Sequence, residues 1–235
     1  MVDRPRLVTW LLAILVVLAT AILIVAPAAL AWRLRTAIAQ ALPGPEAVKV
    51  DVRVSPWYVI SGRLDQVNIE ARRTVVGQLP VDQLSLRLRD VRLDASRLVF
   101  ETALAISHVG DGEGVVILRQ EDLERFLADA KGVSRPVVRL GGGLVTIEGD
   151  VRLATFELHA RLEGGLAVAS PTTVNLHVQA LTVSGVEIPR EIGAALISGF
   201  NPLITLEGFP LPVRIESVDV NAGQVRLMLR VGDRS

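Results

Sequence analysis

After Pro45 the apolar residues of this chain recur at every second position, a period that fits β-strand and little else. Val48, Val50, Val52 and Val54 alternate with Ala47, Lys49, Asp51 and Arg53, as in a strand with one buried face. Leu64, Val67, Ile69 and Ala71 predict a second strand with one phase slip. Across Gln83–Asp94 the set Leu84, Leu86, Leu88 changes parity before Val91 and Leu93. A one-residue flip of faces is what a β-bulge produces. Parity flips again between Val151/Leu153 and Phe156/Leu158, and between Leu176/Val178 and Leu181/Val183. Further strands are expected at 98–107, 114–118, 136–140, 211–220 and 224–231. Long strands with repeated bulges predict a twisted, curved, mainly antiparallel sheet. Gly110–Gly114, Gly141–Gly143 and Gly164-Gly165 read as the turns between strands.

Two segments change to helical period. Gln120–Lys131 places Leu123, Phe126, Leu127 and Ala130 on one face, with Glu121 and Asp122 in the first turn and Lys131-Gly132 at the end. A second helix is expected from Pro189 to Phe200, with Ile192, Ala195, Leu196 and Phe200 on its apolar face. The fold class these elements predict is α+β, a curved sheet wrapped around two amphipathic helices.

The chain begins differently. No charged residue occurs from Leu7 to Trp32, and as a helix that run would measure roughly 39 Å, beyond the ~30 Å hydrocarbon core of a bilayer. Arg4 and Arg6 precede it and Arg33 and Arg35 follow, with Trp10 and Trp32 near its ends. A transmembrane or signal-anchor helix is the expectation. Ala29-Leu30-Ala31 also fits a cleavage site, so retention and removal both stay open. The expected organisation is a short cytoplasmic tail at 1–6, the apolar helix at 7–32, a helical stalk and linker at 33–45, an α+β domain at 46–231 and a tail at 232–235.

Charge and chemistry exclude several classes. Lys+Arg and Asp+Glu both number 25, where a nucleic-acid binder would carry a basic excess. The chain holds no cysteine, hence no disulfide framework, thiolate metal site or cysteine nucleophile. His108, His159 and His177 are scattered, without a second ligand at helical or strand spacing. No nucleophile elbow or paired acid and base stands out, so no enzyme, cofactor or metal is expected. Aliphatic residues fill the alternating positions while aromatics make up only 4%, and an aliphatic lining suits acyl chains.

The order of several segments resembles the LmeA family of phospholipid-binding proteins, a bacterial envelope family. These are ISGRLDQVNI at Ile60–Ile69, LPVDQLSLRLRDVRLD at Leu79–Asp94 and LRQEDLERFL at Leu118–Leu127. Ile188-Pro189-Arg190-Glu191-Ile192, Asn201-Pro202-Leu203 and GFPLPVRI at Gly208–Ile215 continue the likeness, which covers about 46–231. The resemblance implies an elongated fold similar to tubular lipid-binding domains, a location outside the cytoplasmic membrane and affinity for anionic phospholipids. The expectation is therefore a single-pass, membrane-anchored phospholipid-binding protein of the envelope, facing outward, possessing no nucleic-acid partner. Leu84, Leu86, Leu88, Leu123, Phe126, Leu127, Ile192, Leu196 and Phe200 are the expected acyl lining. Arg63, Arg72 and Arg73 are the expected head-group contacts, since a guanidinium pairs bidentately with phosphate. The competing readings are an envelope module with a filled core and no ligand, and an envelope enzyme.

Overall fold

Among the described residues strands form where the two-residue period predicts them, and several run longer than the periodic segments because glycine does not end them. The computed structural model describes residues 47–53, 63–76, 79–93, 106–131, 133–153, 156–189, 200–209 and 211–232. β1 (Ala47–Arg53), β2 (Arg63–Val76), β3 (Leu79–Leu93) and β4 (Ile106–Arg119) lead to the helix α1 (Gln120–Lys131). There follow β5 (Val133–Gly141), β6 (Leu144–Leu153), β7 (Phe156–Ser170), β8 (Thr173–Val183), the short β9 (Val186–Glu187) and β10 (Ile204–Thr205). β11 (Val213–Asn221) and β12 (Gln224–Val231) close the order. The first sheet runs β1-β2-β3-β4-β12-β11 and the second β10-β8-β7-β6-β5, with β9 beside β8. All these pairings are antiparallel.

This corrects the expected fold class. The described chain is mostly β, in two antiparallel sheets with one short helix, and not an α+β fold of one sheet around two helices. One reason lies in Gly110–Gly114, expected as a turn. It sits inside β4, between β3 and β12. A Cβ on Gly112 would come within 2.8 Å of Leu88, and one on Gly114 within 2.7 Å of Leu86. Here glycine permits neighbouring strands to fill the space. Gly164-Gly165 likewise continues β7, whereas Gly142 and Gly143 do form the β5–β6 turn with φ of 61° and 79°.

The parity flips have three different causes. Between Leu88 and Val91 the register with β2 and β4 does not shift; Asp90 instead adopts φ 49° and turns the side chains over. The flip at Val151–Leu158 is the β6–β7 hairpin itself, with Leu153 opposite Phe156. At Val178–Leu181 a true bulge occurs, the register shifting between Glu163 and Gly164.

Helix α1 forms with the predicted bounds and carries the chain from the first sheet to the second. Asp122 accepts a hydrogen bond from the Arg119 N–H at 2.9 Å, satisfying a donor at the helix start. Leu123, Phe126 and Leu127 are buried. On its polar side, Gln120 Oε1 and Glu124 Oε1 accept from the Leu140 and Val138 N–H groups at 3.0 and 2.9 Å. A spacing of four along the helix thus matches a spacing of two along β5, and the helix closes that sheet edge. Further links join the sheets: Ile215 donates to the Pro171 carbonyl at 2.7 Å and Gly223 to that of Leu140 at 3.1 Å.

The expected segments 1–45, most of 98–107, and 190–199 of the second predicted helix lie outside the described residues. Among the described residues no helix is long and apolar enough to cross a membrane. The expectation of a single-pass membrane anchor is corrected accordingly: no helix among the described residues supports it.

Candidate functional site

The second sheet has two unlike faces. On β6 the residues Thr146, Glu148 and Asp150 point one way, while Ile147, Gly149 and Val151 point the other. The polar face is crossed by ion pairs. Asp150 meets Arg135 at 2.6 Å and His159 at 3.0 Å, and Glu148 meets Arg139 and Arg161, each at 3.0 Å. The His159 hydrogen bond, followed by that from Arg135, holds the Asp150 carboxyl below the usual carboxylate range. These groups are solvated cross-strand partners. Among the described residues no group of three or more His, Asp or Glu side chains is placed to hold a metal ion.

The opposite face bounds a cavity of about 310 Å³, partly open to solvent. Its floor is built by alternate residues of three strands: Ile147, Gly149 and Val151 of β6, Leu158, Ala160 and Leu162 of β7, and Leu176, Leu181 and Val183 of β8. Leu127 of α1 and Val133 of β5 close one side. Phe200 and Leu203 close another, and Ile188 lines the cavity beside Leu181. Every lining residue is aliphatic, aromatic or glycine. In the centre of the floor Gly149 stands opposite Ala160, so the middle row carries the smallest side chains. Val133 already fills the space above Gly149, at 2.6 Å from where a Cβ would stand, which leaves Ala160 as the position that bounds open space.

The wall containing Phe200 is held to the edge of β8 by hydrogen bonds. The Asn201 side chain accepts through Oδ1 from the Leu176 N–H at 2.9 Å and donates through Nδ2 to the Leu176 carbonyl at 3.1 Å, standing in for the backbone of a paired strand. Leu203 then donates to the Val174 carbonyl at 3.0 Å, and Ile204 pairs with Val174. The segment thereby lies along the edge of β8 and brings Phe200 and Leu203 to the cavity.

Of the residues expected to form an acyl lining, Leu127 and Phe200 are on this wall. Leu84, Leu86, Leu88, Leu123 and Phe126 are buried in the core but are not among the lining residues. Ile192 and Leu196 lie outside the described residues. Arg63, Arg72 and Arg73 all stand on β2 of the other sheet. Arg63 is paired with Asp90 at 2.6 Å, and Arg72 and Arg73 are exposed. The floor residues missed by sequence reasoning did carry a signal. Positions 145–151 and 158–162 alternate, and in the apolar phase a glycine and an alanine replace the larger residues.

A family model described as LmeA-like phospholipid-binding matches residues 23–230. No curated protein and no solved structure matches the chain.

Proposed function

The chain belongs to the LmeA-like phospholipid-binding family, and from that premise we propose that it takes the hydrocarbon of a phospholipid into the cavity under the second sheet. The observation that carries this reading is the lining: about 310 Å³ of space lined by apolar side chains among the described residues. Water in such a cavity finds few hydrogen-bond partners, whereas hydrocarbon gains contact on every side. Covering ten methylenes is worth on the order of 8 kcal/mol before the costs of association. The volume lies at the low end of the ~300–1,000 Å³ typical of small-molecule sites, so it houses part of a phospholipid and leaves the head group outside. The role is binding, with no chemical step, and the anionic preference implied by the family is part of the proposal.

The test is solvent extraction of the purified protein followed by mass spectrometry. Phospholipid should be recovered from the wild type, and much less from Ala160→Phe, whose ring would occupy the cavity while circular dichroism shows the fold retained. Loading from detergent with anionic and zwitterionic phospholipids in parallel reads the head-group preference. Equal recovery from the wild type and Ala160→Phe would move the site elsewhere. Recovery of no lipid from either protein would support a filled structural module.

A further inference from the structure

The cavity floor continues past its last wall to the edge of the sheet. We propose that the β8–β9 hairpin, with Val186 at its tip, is the lip by which this protein docks on a lipid surface and over which the acyl chain enters. This inference rests on the cavity being the hydrocarbon site. Its basis is the strand register. Gly149 pairs with Ala160, Ala160 with Val183, and Val183 with Val186. Directly opposed residues of antiparallel strands project from the same face. The four therefore form one row across the sheet, on the cavity side. Along that row exposure rises from buried Gly149, through half-buried Ala160 and Val183, to Val186 at 62%. Ile188, two residues on, returns to the same face and lines the cavity.

The tip is held in place by local geometry. Ser184 and Gly185 have φ of 48° and 83°, the two left-handed residues of a tight hairpin turn that follows strand twist. The Ser184 N–H donates to the His159 carbonyl at 2.7 Å and the Ile188 N–H to that of Leu181 at 2.8 Å. A single exposed valine on a surface is ordinary. What distinguishes this one is its row. Of the other exposed large apolar residues, Val137 is paired with Glu148 on the ion-pair face, Met228 belongs to the first sheet, and Val168 lies at the far end of β7. Glu187, the charged residue of the lip, is paired with Thr182 and points away from the cavity. An apolar edge continuous with an apolar cavity fits a lipid surface better than a polar protein partner, because hydrocarbon can pass from one to the other without crossing water.

The experiment measures uptake from phosphatidylcholine vesicles containing a self-quenched fluorescent phospholipid, beside loading of the same lipid from detergent. Val186→Asp should take up lipid from vesicles about tenfold more slowly than wild type, while its detergent-loaded amount stays unchanged. Val186→Ser should fall between the two. In Val186→Trp, the emission of the new indole should shift to shorter wavelength when vesicles are added. Wild-type uptake rates in Val186→Asp, or an emission from Val186→Trp that does not move, would overturn the lip and leave the cavity standing. Failure of the wild type to load lipid even from detergent would overturn both.

Discussion

The two sheets use the same aliphatic residues in the same alternation, yet one is packed solid and the other leaves a cavity against part of its inner face. In the first sheet, Leu64, Leu84, Leu88, Val116, Leu118 and Leu227 all show 0% exposure. Even its glycines are occupied from the neighbouring strands, where Leu86 and Leu88 stand within 2.8 Å of the missing Cβ atoms. In the second sheet, Ile147, Leu158 and Leu162 face inward but are only half-buried, and Ala160 lies at the cavity. Alternation fixes which face of a strand turns from water. Whether protein fills the space beyond that face depends on what packs over it.

The largest expected effect tests this difference directly. Leu84→Ala should cost about 2–5 kcal/mol, as cavity-forming substitutions in packed cores do. Leu158→Ala, beside existing space, should cost about 1 kcal/mol, since it removes partial burial and makes no new void. Denaturant unfolding of both variants reads the contrast, and equal losses would mean that the two halves are equally well packed. A smaller effect is expected at two adjacent glycines of β7. Gly164→Ala would drive its Cβ into the His177 carbonyl oxygen at the bulge, for a loss of about 1–3 kcal/mol. Gly165→Ala, whose Cβ would find its nearest neighbour at 4.0 Å, should change the same transition by about 0.5 kcal/mol or less.

The smallest effect concerns the helix joining the halves. Burial raises the Asp122 carboxyl above the ordinary aspartate range, against the opposing pulls of the Arg119 N–H and Arg125. The folded protein therefore holds this proton more tightly than the unfolded chain. The stability it contributes is present below the unfolded pKa, near 3.9, and is lost as pH rises through the higher folded value. Asp122→Asn should remove that component, leaving unfolding free energy with a less negative slope through the carboxylate range. Denaturant titrations at several pH values measure it, and parallel slopes in the two proteins would show that the group does not titrate with folding.

Much of this fold could be read from residue order. The bounds of α1 follow from its acidic first turn and apolar spacing, and β1, β11 and β12 follow from their period. The glycine segments were harder because glycine serves two opposite ends: it turns a chain, and it lets strands approach. Gly112 is of the second kind because Leu88 and Val231 lie against it, and those residues come from distant parts of the chain. The expected lining coincides with the cavity wall only in part, at Leu127 and Phe200 among the described residues, for a related reason. Leu84, Leu86 and Leu88 form a regular apolar run, but regularity marks burial, and these side chains are buried against protein. The Arg63 guanidinium has the chemistry to hold a phosphate, but Asp90 meets it from the next strand.

What the sequence determined by itself is local: the strand period, the helix with its caps and the family to which the chain belongs. These depend on neighbours within a few residues, or on the order of motifs along the chain. Only the tertiary structure decided that the strands divide into two sheets, that a cavity lies against one sheet's inner face, and that Val186 extends that face to the surface. Each of these is a matter of register and of what stands opposite, quantities set by residues far apart in the chain and brought together only when the sheets pair.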